Sequence, residues 1–312
     1  MDILRPVREL EATCYHAARG FLSHLMDELP ERDRIDGELV TVLGKKRQAY
    51  WTRNVWEKPF LLEFASVGEA AKSLRSLQRN WAFLPSRLHR RAALIVEKLP
   101  PLPSKPKSFP FIPPNVPMGA FTLLDENTML ASPVCSSPFP NGEFEFEEDR
   151  EGPPSRAYRK IWEALVLAGA LPAKGESCLD AGASPGGWTW ALAGLGAEVL
   201  AIDRAELEPR IAALPNVRTM RHDAFTLKPR EIGAVDWLCS DVICYPPALL
   251  EWVSAWLESG LARNYICTIK MQGAGFDKAT TDLFAAIPGS RVLHLWHNRH
   301  ELTWINLERD RG

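Results

Sequence analysis

Four aspartates carry the clearest chemical signal in the sequence. Asp180, Asp203, Asp223 and Asp241 close the strand-like runs CLD, AEVLAID, NVRTMRHD and DWLCSD. The first is followed by A-G-A-S-P-G-G-W. Gly182, Gly186 and Gly187 let the backbone of that turn approach a ligand closely, and Pro185 stiffens it. One aspartate at a strand end is ordinarily a turn former or a helix cap. Four in series behind a glycine turn make a constellation that can grip a ligand. Asp203 is placed to hold ribose hydroxyls, and Asp223 to accept from an adenine amino group. The dinucleotide pattern G-x-G-x-x-G, which sets a helix N-terminus against a pyrophosphate, is absent. The acids instead suit a cationic ligand, and S-adenosylmethionine fits with its adenine, ribose, amino-acid tail and sulfonium. Its expected contacts are Asp180, Gly182, Ser184, Pro185, Gly186, Gly187, Trp188, Asp203, Asp223 and Asp241. Lys270 ends the otherwise apolar run YICTIK, an unusual place for a solvated lysine.

The elements around these residues alternate. A helix is predicted from Tyr158 to Leu167, with strands at 177–180, 197–203, 217–222, 235–241 and 264–270. Helical segments such as PALLEWVSAWLESGL lie between several of them. This is the pattern of an α/β fold with a mostly parallel sheet. In such sheets ligands sit at the carboxyl ends of the strands, where the four aspartates fall. SRVLHLWHN and HELTWINLER follow each other so closely that they must pair antiparallel.

Upstream, PPLPSKPKSFPFIPPNVP (100–117) holds eight of the 25 prolines. Proline fixes φ and removes a donor, so this run reads as a stiff linker. The expected organisation is an N-terminal α+β module over 1–99, a linker over 100–118 and a ligand-binding α/β domain over 119–312. Within the first module the order β-α-β-β-β-α-β is compatible with a ferredoxin-like unit. ELVTVLG and QAYWTRN are expected to form a hairpin around Lys45, Lys46 and Arg47. Ser66 and Glu69 form a capping box for the second helix.

Charge is uneven. Residues 1–118 carry 19 Lys+Arg against 13 Asp+Glu, and the rest carry 18 against 26. A basic half joined to an acidic half fits a polyanion-binding module beside a catalytic one. Arg53, Arg87, Arg90 and Arg91 join the hairpin cations as candidates for RNA phosphates, with Trp51 and Trp56 as candidates for base stacking. The six cysteines form no C-x-x-C pair, and at least four lie in apolar runs. That points away from zinc or a disulfide framework. MDILRPVRELEATCYH has no apolar leader core, and no apolar run approaches the roughly 20 residues of a membrane span. A reducing cytoplasm is the expected setting.

DAGASPGGWT resembles the cofactor loop of the FtsJ-type RNA ribose 2′-O-methyltransferases. That family is marked by a Lys-Asp-Lys-Glu tetrad. The resemblance assigns it to Lys160 in SRAYRKIWEAL, Asp241 in CSDV, Lys270 in CTIKM and Glu301 in NRHELTW. Order and spacing agree over about 155–309. The likeness is greatest to members that methylate a cytidine ribose of bacterial large-subunit rRNA, through PPSRAYRKIWEA, GASPGGWT and HNRHELTW. It implies a Rossmann-like class I methyltransferase sheet with an antiparallel last strand, S-adenosylmethionine as cofactor, and RNA rather than DNA or a membrane as partner. Three departures stand out. Those members carry an RNA-binding region where this chain has little more than the proline run. Ala157 replaces a hydroxyl residue, and VICYPP after Asp241 differs.

A ribose hydroxyl is a poor nucleophile, so its proton must leave as the new bond forms. Lys270 is the expected base if neutral, which its neighbour Lys160, the sulfonium and burial would favour against an ordinary lysine pKa near 10.4. If charged, it would instead stabilise the developing alkoxide. Two other functions compete. A base-amine methyltransferase would carry N/D-P-P-Y after the fourth strand, where this chain has D-V-I-C-Y-P-P. A non-catalytic RNA-binding protein would not need the four tetrad residues.

Overall fold

A computed structural model describes residues 7–311. The first six residues, part of the stretch read as lacking a leader core, lie outside them. The chain divides into two units: residues up to Lys107 with Pro113–Glu145, and Ser108–Ile112 with Phe146 onward.

The second unit holds the predicted alternation. We label its elements α1 (Tyr158–Ala168), β1 (Ser177–Ala181), α2 (Gly187–Gly194), β2 (Glu198–Asp203), β3 (Val217–Arg221), β4 (Val235–Ser240), α3 (Pro246–Ser259), β5 (Ala262–Lys270), α4 (Lys278–Ala286), β6 (Ser290–Leu293) and β7 (Glu301–Asn306). They form a seven-stranded sheet in the order β3-β2-β1-β4-β5-β7-β6. The first five strands pair parallel, and β7 runs antiparallel to both neighbours. The fold is therefore the expected α/β class I methyltransferase sheet. Inner strands read as continuous apolar runs because both faces are covered. Cys178, Cys239 and Cys267 are buried in three adjacent strands as small hydrophobes. Since β1 lies where the strand order reverses, the glycine turn after it opens at the switch point of the sheet.

The N-terminal α+β module is present, with its strands divided between two sheets rather than gathered in one. Strands 34–36, 39–43, 12–17 and 52–56 form the first, in that order. The expected hairpin between ELVTVLG and QAYWTRN does not form. Both strands instead flank Ala12–Ala17, which is buried along its whole length and offers two edges. Ser66 caps the helix Val67–Leu77 by accepting from the Glu69 N–H at 3.2 Å. The Glu69 carboxylate reaches back one residue further than expected, to the Ala65 N–H.

The domain boundary also differs. Gly119–Leu123 and Thr128–Ser132 pair with each other and with 81–83 and 60–63, in a five-stranded sheet of the first unit. Apolar residues of this hairpin, Phe121, Leu123 and Met129, fill the core beneath Val67–Leu77 and His89–Val96. The chain between the first sheet and the α/β unit is thus a folded layer, not only a linker. Part of the proline run belongs to the second unit: Phe109 stacks on Trp162 at 4.5 Å.

Candidate active site

β1, β4 and β5 end side by side, and their carboxyl edges carry the site. The Gly182 turn follows β1, Asp241 follows β4, and Lys270 closes β5. The antiparallel register of β5 and β7 puts Lys270 directly opposite Glu301. Helix α1 brings Lys160 from the other side. Lys160 Nζ donates to Asp241 Oδ1 and Oδ2 at 2.8 and 2.6 Å and to Glu301 Oε1 at 3.1 Å. Lys270 Nζ lies 3.2 Å from Asp241 Oδ1. Four residues from four separate segments thus form one nearly dry cluster of two lysine amines and two carboxyl groups. Burial lowers the Lys160 pKa, but Asp241 and Glu301 outweigh it, and the net is above the ordinary lysine value. Lys160 therefore keeps its charge at neutral pH.

The one carboxylate of α1 fixes the turn that delivers Glu301. Glu163 is buried and accepts from the backbone N–H groups of Trp296 and His297 at 2.7 and 3.0 Å. Its Oε2 also lies 2.7 Å from His297 Nδ1. Three residues before it, Lys160 meets the Glu301 side chain, so one helix braces both ends of the β6–β7 connection. Glu163 is a residue that sequence reasoning missed. Its position one turn after Lys160 on an otherwise apolar helix was the available signal.

Beside the cluster lies a cleft of about 520 Å³, within the range of small-molecule sites. Gly182, Ser184, Pro185, Gly187, Trp188, Asp203, Asp223, Asp241 and Lys270 line it. Lys160 and Glu301 stand behind it, and Asp180 and Gly186 lie outside its lining. Sequence reasoning also missed Ser155, Ile202, Phe225 and Val242. Ser155 falls two residues before Ala157, so the cleft retains a nearby hydroxyl.

The turn itself is tightly built. Gly182 has φ of +78°, and a Cβ there would lie 2.7 Å from Val242 Cβ and 2.9 Å from its Cα. A side chain at Gly187 would press the Ser155 hydroxyl at 2.5 Å. Asp203 accepts from the Ser184 N–H at 2.9 Å and the Ala205 N–H at 2.8 Å, so it holds the turn as well as facing the cleft. Asp223 caps a short turn by accepting from the Phe225 N–H. Trp188 donates to the Ala157 carbonyl at 3.1 Å and closes one wall.

Asp180 sits beneath the turn. Its Oδ2 accepts from the Thr189 hydroxyl at 2.6 Å, while Oδ1 is buried with no partner among the described residues. Burial pushes its carboxyl from 3.8 up to about 7; the Thr189 hydroxyl opposes this and the Asp241 charge adds to it. Unfolded, Asp180 ionises near 3.8, so between about pH 4 and pH 7 the unfolded chain holds fewer protons. Its contribution to stability is complete below that interval and falls as pH rises through it. Asp180→Asn keeps an acceptor for Thr189 and cannot ionise. Urea unfolding at a series of pH values should show the wild type losing stability across this interval relative to the variant. A difference independent of pH would contradict the account.

The cleft fits S-adenosylmethionine on its own chemistry. It combines a glycine cradle that a Cβ would fill, acids for a cationic ligand, apolar walls from Ile202 and Phe225, and a buried unpartnered acceptor under the turn.

Comparison with known sequences places this geometry in context. The FtsJ-like methyltransferase family profile matches residues 153–260. Ribosomal RNA large subunit methyltransferase M of Halorhodospira halophila is 37% identical over 157 residues, covering 48% of this chain and 46% of that protein. The enzyme of the same name from Xanthomonas oryzae pv. oryzae is 30% identical over 288 residues, covering 87% of this chain and 76% of that protein. The chain belongs to the ribosomal RNA large subunit methyltransferase M family. It spans about half the length of several relatives in that family and three quarters of the Xanthomonas one. Since the Xanthomonas alignment takes in most of this chain, the methyltransferase M likeness extends beyond the α/β unit into the N-terminal one.

Three of the expected RNA contacts in that N-terminal unit are closed off by burial. Trp51 and Trp56 are fully buried, so neither can stack a base from solution. The Arg53 side chain is buried against Glu143. Lys46 pairs with Glu57, Arg47 with Glu31, and Arg87 with Asp36. Lys45, Lys46, Arg47, Arg87 and Arg90 are all exposed. Among the described residues no helix is long and apolar enough to cross a membrane.

Proposed function

We propose that this chain methylates the ribose 2′-hydroxyl of a cytidine in large-subunit rRNA, with S-adenosylmethionine as donor. The observation that carries this reading is the Lys160–Asp241–Lys270–Glu301 cluster at the edge of the cleft. Bound there, S-adenosylmethionine supplies a methyl group on a positively charged sulfur. The turn from Gly182 to Trp188 holds it, with Asp203 and Asp223 at the nucleoside end.

The remaining work falls to the tetrad. Asp241 bridges the two lysines and fixes the Lys270 amine at the cleft wall. Lys160, clamped by both carboxylates, stays protonated and cannot take up a proton. Lys270, the one tetrad lysine that lines the cleft, takes the proton leaving the hydroxyl if its amine is neutral when substrate binds, and as an ammonium it would instead stabilise the developing alkoxide while the proton leaves to solvent. Glu301 completes the charge balance around Lys160. Positioning an alcohol and a base together in this way supplies much of the rate gain open to a displacement reaction. In the N-terminal unit, exposed cations including Lys45 and Arg90 would hold RNA phosphates. The six cysteines are free thiols, in keeping with a cytoplasmic setting.

The test uses methyl-labelled S-adenosylmethionine with large-subunit rRNA lacking its native modifications, as free RNA and as precursor particles. After digestion to nucleosides, label is expected in 2′-O-methylcytidine. Label on a base, or in no nucleoside from either substrate, would overturn the reading.

A further inference from the structure

The loop after Asp241 carries two exposed apolar side chains. Ile243 is 77% exposed and Tyr245 is 68% exposed. Ile243 lines the cofactor cleft together with Lys270. Tyr245 lines an adjoining groove of about 430 Å³, whose other walls include Pro246, Met271, Gln272, Phe276 and Asp277. Cleft and groove are built from the same two loops, one leaving Asp241 and the other leaving Lys270. Single exposed hydrophobes need no explanation. Two within three residues, bordering a catalytic amine, do.

The groove is a held surface. Pro246 and Pro247 begin α3, and the residue before a proline is confined to extended backbone. Tyr245 accordingly has φ −71° and ψ 142° at the N-cap. Its carbonyl accepts from Ala248 and Leu249 at 3.0 and 3.2 Å. One residue earlier, the Cys244 carbonyl accepts from Gln272 Nε2 at 3.2 Å, tying the two loops together. The backbone that presents the tyrosine is thus fixed before any ligand arrives, which lowers the ordering cost of binding. The ring itself stays open to solvent rather than packing into a core.

The groove carries little charge. Its one ionisable carboxylate, Asp277, is occupied by the backbone N–H and the hydroxyl of Thr280, at 3.0 and 2.8 Å. No lysine or arginine lines it, so it does not suit a phosphate. A flat, neutral, partly apolar ligand fits its walls.

We propose that Tyr245, with Ile243 at the rim, forms a stacking subsite for the base of the nucleotide whose ribose is methylated at Lys270. This rests on the ribose-methylation reading above. Single-stranded bases are commonly held on exposed aromatic faces, because every base has one. A ribose at Lys270 has its base one glycosidic bond away, toward either the cofactor cleft or this groove. The cleft is taken by the donor.

The test compares the full-length wild type with Tyr245→Ala, Tyr245→Leu and Tyr245→Phe, on unmodified large-subunit rRNA with labelled S-adenosylmethionine. Donor affinity is measured separately by calorimetry. For Tyr245→Ala, kcat/KM toward RNA should fall about ten-fold or more, with donor affinity unchanged. Leucine, apolar but without a ring face, should not restore it. Phenylalanine should restore it to within about two-fold. Wild-type turnover in the alanine variant, or full rescue by leucine, would overturn the stacking subsite while leaving ribose methylation standing. Loss of donor affinity in the alanine variant would also overturn it, by giving Tyr245 a structural role. A wild type that methylates no RNA would overturn both readings together.

Discussion

Lys270→Ala should abolish most methyl transfer, lowering the single-turnover rate on RNA by a factor of about 10²–10⁴. Lys270 is the tetrad lysine that reaches the cleft, and it touches the cluster through one contact to Asp241 at 3.2 Å. Its removal leaves the Lys160 clamp on Asp241 and Glu301 intact. Donor binding and fold should therefore survive, which separates loss of chemistry from collapse. Lys270→Arg sharpens the question. Arginine keeps a positive charge at this position but does not give up its proton in proteins. If Lys270 accepts the hydroxyl proton, arginine should be nearly as defective as alanine. If its charge alone is needed, arginine should recover a large part of the rate. Rapid-quench assays at saturating donor would read both. An alanine variant with wild-type turnover would remove Lys270 from the reaction.

The largest stability effect should come from Lys160. Its ammonium holds two buried carboxylates, and deleting one member of such a group leaves the others uncompensated. Lys160→Ala should cost about 3–5 kcal/mol, or on the order of 10 °C in the melting temperature of a domain this size. Lys160→Met keeps the apolar stem, so the difference between the two variants separates packing from charge. The sign of the pH dependence is fixed by the raised pKa of Lys160. A cation stabilised in the fold contributes fully below its unfolded pKa and loses its contribution as pH rises through the higher folded value. The penalty of the alanine variant relative to wild type should thus be constant from pH 6 to pH 9. Salt should change it little, since the wild-type cluster is nearly dry. Urea titrations at low and high salt would test this. A loss below about 1 kcal/mol, the level of an exposed pair, would mean that water reaches the cluster.

Local patterns in the sequence revealed the elements well. The strand-end aspartates and the glycine turn marked the switch point of the sheet, because backbone reversal and ligand approach leave residue-level signs. Pairing between distant segments was harder to read. ELVTVLG and QAYWTRN are close in sequence and both strand-like, yet each pairs with Ala12–Ala17. Alternation shows that a strand is half-buried without naming its partner. For the same reason the hairpin 119–132 was assigned to the wrong unit: its partners lie some 40 to 70 residues upstream. Proline content marked a stiff segment but not the place where one core ends and another begins. In the site, Lys160, Asp241, Lys270 and Glu301 came from family likeness. Their contacts span 81 and 141 residues of chain, beyond any local pattern. Burial was the other blind spot. Trp51 and Trp56 beside basic residues read as a stacking surface, and both fill cores.

β7 lies between β5 and β6, although it follows both in the chain. It is an inserted strand, and it brings the second carboxylate of the cluster. Until it docks, β5 has an unpaired edge open to association with other chains. In that state Lys160 has lost one counter-ion and Lys270 its cross-strand neighbour. Assembly of the tetrad and closure of this sheet edge are thus the same event. A chain caught before that step would be sticky and catalytically silent, and the first sign of activity would report that the sheet had closed.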